Sequence, residues 1–159
     1  MGFNFQHALN SFRQQYFFVA FIFFYKGEMI MNSIIFDVDG TICPLKKEGQ
    51  EYKDLVPYKE MVSKIRELRN AGFRIVLFTS RNMRSFENDL DMILKHTKPI
   101  LEDWLKRWDI PYDEVIYGKP WPGKGGLYVD DRTIRPNELL KYNMDEINKI
   151  CEEGRLNEI

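Results

Sequence analysis

Short apolar runs and amphipathic stretches follow one another along this chain, and turn residues separate them. Ser33-Ile34-Ile35-Phe36 is stopped by Asp37-Val38-Asp39-Gly40-Thr41. A short apolar run bounded by a turn signal predicts a buried strand of a parallel sheet. Residues 42–56 have no sustained period and read as a loop, with Glu48-Gly49 suited to a short hairpin turn. Pro57 opens a helix that runs to Asn70, with Met61, Ile65 and Leu68 at helical spacing and Ala71-Gly72 ending it. Residues 73–78 (FRIVLF) predict a second strand, ending in Thr79-Ser80-Arg81. Residues 84–108 are mostly helical in pattern and divided at Pro99. Thr97 suits the cap of the second piece, whose Ile100, Leu101, Trp104, Leu105 and Trp108 form a core-facing stripe. Residues 113–117 predict a third strand before Gly118-Lys119-Pro120, and residues 126–129 (GLYV) a fourth before Asp130-Asp131. The rest is helical, with Pro136-Asn137 opening one segment and Asn143 with Glu146 a capping box for the last. Strand–helix repeats of this kind imply a doubly wound, Rossmann-like parallel sheet with right-handed crossovers.

Such a sheet places all four strand ends on one edge, and that is where the chemistry-bearing residues fall. On a strand, Asp37 and Asp39 at i and i+2 share one side of the chain. Their mutual repulsion calls for a bound cation or a shared proton. Gly40 permits a sharp turn, and Thr41 can return a hydroxyl to the site. For D-x-D alone, an acidic turn is an equally good account. Thr79, Ser80 and Arg81 suit a phosphate-like anion, although hydroxyls at a strand end also serve as helix caps. Lys119, held between glycine and proline, is a compact cation for a phosphate or an aspartate, though in isolation it reads as a surface turn. Lys46, Lys47 and Lys53 read as solvated surface groups, and the lone His96 as non-catalytic. One such strand end could be chance; four in succession are not.

Composition narrows the classes. A chain of 159 residues with 44% hydrophobic and 30% charged content suits one globular domain. A net charge of −1 argues against a general nucleic-acid surface. Cys43 and Cys151, far apart and outside any C-x-x-C pair, suggest a reducing, cytoplasmic setting and no structural zinc. Residues 16–25 (YFFVAFIFFY) are dense in aromatics but too short to span a bilayer as a helix. No stable membrane insertion is expected from them. Residues 1–30 suit a membrane-surface anchor, an extra packing helix or an upstream extension; we favour the last, with Met29 or Met31 as the start of a single catalytic domain over 31–159.

The string Asp37-Val38-Asp39-Gly40-Thr41 after Ile-Ile-Phe resembles the first motif of the haloacid dehalogenase-like (HAD) superfamily. Thr79-Ser80, Lys119 and Asp130-Asp131 fall in order as its other three, covering residues 31 to about 142. The resemblance implies Asp37 as the nucleophile of an aspartyl-phosphate and Asp39 as general acid and then base. It implies Thr79 (or Ser80) on the phosphoryl group, and Lys119 as the cation neutralising nucleophile and phosphate. Mg2+ would be held by Asp37, the Asp39 backbone carbonyl, Asp130 and Asp131. Thr41, Ser80 and Arg81 are the substrate-binding candidates. The crossovers leave no room for a separate cap domain. A capless site admits large substrates, or is covered by the 42–56 loop or by a partner in a homo-oligomer. Finer motifs, among them Thr-Ser-Arg-Asn-Met-Arg, Gly-Lys-Pro-Trp and Tyr-Val-Asp-Asp-Arg, are similar to those of capless phosphatases encoded with bacterial capsule and surface-polysaccharide genes. That implies a small sugar or sugar-alcohol phosphate as substrate. The competing functions are a nucleotide or polynucleotide-end phosphatase and a non-catalytic binding module of the same fold. No obvious aromatic-basic stripe and an intact Asp37 weigh against these two respectively.

Overall fold

Three of the four expected strands form, and they pair side by side in chain order. The structure, a computed structural model, describes residues 32–155; the reading of residues 1–30 lies outside that range. β1 (Ser33–Phe36), β2 (Arg74–Thr79) and β3 (Glu114–Tyr117) make a parallel sheet in the order β1-β2-β3. Phe36 pairs with Leu77, and Thr79 at the far end of β2 pairs with Tyr117. Helices supply the crossovers that parallel pairing requires. α1 (Lys59–Asn70) joins β1 to β2, while α2 (Leu90–His96) and α3 (Lys98–Arg107) join β2 to β3. α4 (Pro136–Lys141) and α5 (Met144–Glu153) complete the described chain.

Each helix starts and stops for a local reason. α1 buries Met61, Val62, Ile65 and Leu68, and the Ala71 amide closes it by donating to the carbonyls of Glu67 and Arg69. Beyond it, Gly72 turns the chain at a φ of 92°, the left-handed region that glycine enters without strain. The Asn143–Glu146 capping box forms as expected: Asn143 accepts from the Glu146 amide, and Glu146 accepts from the Asn143 amide. The first helical piece after β2 starts later than its pattern suggests. Asn82, Glu87 and Asn88 have φ of 62°, 49° and 67°, so helix cannot propagate until Asp89 caps α2 through the Met92 amide. Thr97 stands at the head of α3, but its hydroxyl makes no cap bond and accepts instead from the Asn82 side-chain amide at 2.9 Å. Of the expected stripe on α3, Leu101, Trp104 and Leu105 are buried, while Ile100 and Trp108 remain exposed at its margins. The core gathers Phe36 and Leu77 from the sheet, Ile65 from α1, Trp104 from α3, Leu139 from α4 and Ile147 from α5.

The fourth expected strand does not form. Residues 126–129 run as irregular chain, with Leu127 78% and Val129 95% exposed. Strand propensity reports how well side chains fit a pleated, half-buried surface, and these side chains have none to lie on. Gly125 and Gly126 add a further entropic cost to ordering the segment. Among the described residues, the edge of β1 opposite β2 carries no partner strand, and Ile35 on β1 is 61% exposed. No described helix is long and apolar enough to cross a membrane.

Candidate active site

Where β1 gives way to a turn, the chain folds back tightly on the Val38 carbonyl. That oxygen accepts from the amides of Thr41 (3.3 Å), Ile42 (2.9 Å) and Cys43 (3.2 Å), and the Gly40 amide donates to the Cys43 carbonyl. The turn needs Gly40 at a φ of 90°, a conformation that side chains strain against. Val38 is fully buried in the core, and the half-exposed Asp37 and Asp39 flank it. Thr41 sits half-buried within this turn.

Asp37 is met from the third strand end. Tyr117 closes β3, Gly118 turns at a φ of 90°, and the Lys119 amide then donates to the Thr79 carbonyl at 3.1 Å. Sheet pairing thus continues past β3 and carries Lys119 to the head of the sheet. Its Nζ donates to Asp37 Oδ1 at 3.0 Å, with both side chains largely shielded from solvent. The ammonium also lies 4.5 Å from the Tyr128 ring centroid and 5.9 Å from that of Phe78. Burial pushes the Asp37 carboxyl above its ordinary value; the Lys119 hydrogen bond and charge pull it down, and neighbouring Asp39 pushes it up again. Thr79, whose carbonyl takes the Lys119 amide, is buried, and its hydroxyl oxygen accepts from the Arg81 amide at 3.1 Å, leaving its proton free to donate. Ser80 stands half-buried at the same turn, its carbonyl accepting from the Met83 amide.

Asp39 is met from the second strand end. Arg81 grips it through Nε on Oδ2 at 3.1 Å and Nη2 on Oδ1 at 2.8 Å. Read from sequence as a substrate-binding group, Arg81 has instead a fully enclosed side chain turned onto Asp39. Asp130 and Asp131 do not join the cluster. Asp130 is exposed and accepts from the Arg132 amide, and Asp131 pairs with Arg155 at 3.4 Å. Among the described residues no three carboxylate, histidine or cysteine side chains come together as a metal-holding group. In this arrangement, therefore, the expected magnesium ligands do not fit together as one site.

Sequence reasoning missed two further members. Tyr52, in the short 3-10 turn Tyr52–Asp54, stacks its ring 4.4 Å from the Arg81 guanidinium carbon. Cys43 lies buried with Sγ 3.7 Å from Asp39 Oδ1. Neither residue carried a spacing that could have marked it. Burial first, and the Asp39 charge second, push the Cys43 thiol up to about 12. Only thiolate reacts, so at pH 8 Cys43 stays almost wholly in its unreactive thiol form. Iodoacetamide at that pH is therefore expected to label the half-buried Cys151 and spare Cys43 until urea is added. Mass spectrometry of tryptic peptides checks this; prompt labelling of native Cys43 would contradict the enclosed turn.

Fold and site together define an α/β protein with a parallel sheet flanked by helices and a charged cluster at its carboxyl edge. No protein-family model matches the chain, and no curated protein matches it either. A solved structure does: a structural-genomics target from Vibrio cholerae, 38% identical, with a TM-score of 0.75. The match covers 79% of this chain and the whole of that one. This chain belongs to the same family as that Vibrio cholerae protein. The relative is described without an activity, so the likeness speaks for fold and ancestry.

Proposed function

We propose that the protein is a magnesium-dependent phosphomonoester hydrolase of the HAD class, acting through an aspartyl-phosphate on Asp37. The proposed substrate is a small sugar or sugar-alcohol phosphate of cytoplasmic surface-polysaccharide synthesis. The observation that carries the reading is the Lys119–Asp37 pair at 3.0 Å, set by the ends of β1 and β3. A carboxylate nucleophile must approach a phosphate dianion of like charge, and a fixed cation against it offsets that repulsion. An Asp37 oxygen attacks phosphorus and the bond to the ester oxygen breaks. Asp39 enters this step protonated and gives that proton to the leaving oxygen. Asp39 then takes a proton from water, whose oxygen attacks the same phosphorus; orthophosphate leaves and the Asp37 carboxylate returns. Thr79 donates its hydroxyl proton to a phosphoryl oxygen.

Magnesium, when bound, would supply charge neutralisation at the phosphoryl oxygens. Asp130 and Asp131 stand outside the Asp37 cluster in the structure, so the metal is the part of the reading that the panel tests most directly. One panel tests the reading: p-nitrophenyl phosphate, sugar phosphates, nucleotides and 3′-phosphorylated DNA, each with magnesium or EDTA. We expect turnover of small sugar phosphates with magnesium and none with EDTA. Magnesium should also slow amide exchange across residues 126–131. Undiminished turnover after exhaustive chelation would sink the metal assignment, and preference for DNA ends would move the substrate class.

A further inference from the structure

Arg81 is the one charged side chain that is buried among the described residues. A guanidinium withdrawn from water is costly unless paired, and its partner here is the carboxylate to which the proposed chemistry assigns the proton transfers. The pairing is a fork: two nitrogens reach two oxygens of Asp39, at 3.1 and 2.8 Å. A two-point bond fixes the plane of the carboxylate as well as its distance, which a lysine could not do. Backbone alone does not fix that plane. Asp39 sits between the buried Val38 and the turn at Gly40, so its Cα is held, but without the fork its side chain would be free to rotate. Its other side-chain neighbour among the described hydrogen bonds is the weak Cys43 Sγ at 3.7 Å.

The fork is itself held from the loop after β1. The Tyr52 ring lies over the guanidinium at 4.4 Å, and Trp104 flanks it at 5.9 Å. Trp104 also anchors that loop by donating Nε1 to the Leu55 carbonyl at 2.6 Å. A chain of contacts therefore runs from α3 through the loop to Arg81 and ends on the Asp39 carboxylate. The Arg81 backbone amide adds a second tie, onto Thr79 Oγ1.

We infer that Arg81 is a positioning residue for Asp39, with the Tyr52 ring as its backstop; this rests on the hydrolase reading. Arg81 orients the proton-transferring carboxylate through Nε and Nη2, while its buried Nη1 has no hydrogen-bond partner among the described residues. The loop over residues 42–56 then serves the acid–base group from behind.

The test uses the full chain with magnesium and the best ester from the panel. Arg81→Gln is expected to lower kcat about 10²-fold, the scale set by a misplaced catalytic group, with KM changed less than about threefold. In an Asp39→Asn background the same change should cost less than about threefold more, because two residues acting as a unit are not additive. Arg81→Lys should recover only part of the loss. Tyr52→Leu should lower kcat about tenfold while Tyr52→Phe keeps it, since the ring and not the hydroxyl does the stacking. Losses that multiply in the double variant, or an Arg81→Gln whose KM rises with kcat intact, would overturn the inference and make Arg81 a substrate contact. Should Arg81→Gln not fold by circular dichroism, the Tyr52 pair decides: equal rates for both variants would overturn it. Wild-type protein inert toward every ester would instead remove the hydrolase reading, and this inference with it.

Discussion

Asp37→Asn is expected to lower phosphatase turnover by about 10⁴-fold or more, the scale seen when a covalent nucleophile is removed. An amide is a poor nucleophile toward phosphorus, so the covalent step is lost with the carboxylate. The substitution leaves the volume of the side chain unchanged, so the fold should survive. Two stability effects oppose each other: the Lys119 ion pair is lost, but a half-buried carboxylate no longer has to be kept charged against its desolvation. Activity and stability should therefore separate in this variant. Beryllium fluoride, an aspartyl-phosphate mimic, should raise the melting temperature of wild type and leave Asp37→Asn unmoved. Protection of both proteins to the same extent, or turnover within tenfold of wild type, would rule Asp37 out as the nucleophile.

The largest loss of stability is expected at Trp104. It is fully buried on α3, and its indole N–H satisfies the buried Leu55 carbonyl at 2.6 Å. Trp104→Ala removes the ring and leaves a cavity, a change that costs about 3–5 kcal/mol. Domains of this size hold about 5–15 kcal/mol in all, so the loss is a large fraction of the whole. Trp104→Phe refills most of the space but leaves Leu55 without its donor, at a cost of about 1–3 kcal/mol. Urea denaturation of the three proteins measures both terms. A Trp104→Ala protein within about 1 kcal/mol of wild type would show that the helix α3 face is not the packed core described above.

The parts of this fold that the sequence announced are those decided locally. The β2 run, the α1 stripe and the Asn143–Glu146 box each carry their cause within about a dozen residues, and each forms in place. Residues 126–129 were misread because a short Gly-Leu-Tyr-Val run becomes a strand only against a neighbour, and no pattern within it names one. The left-handed residues Glu87 and Asn88 hid for the opposite reason: their backbone interrupts a helix that the side-chain spacing supports. At the site, Asp37 and Lys119 were legible because strand ends put them there. The Arg81–Asp39 fork and the Tyr52 ring beneath it were not, since they join positions that neither a period nor a motif relates. An arginine beside hydroxyls looks the same in sequence whether it faces a ligand or a carboxylate of its own chain.

The two acids at the sheet edge are each matched by one cation, Asp37 by Lys119 and Asp39 by Arg81. Paired charges a few ångströms apart present a dipole to an approaching molecule, and a dipole's reach dies away well inside the roughly 8 Å Debye length of physiological salt. With a net charge of −1 on the whole chain, little else draws an anion in from afar. Encounter with a phosphorylated molecule is then governed by ordinary diffusion and its abundance, and capture rates should barely respond to ionic strength.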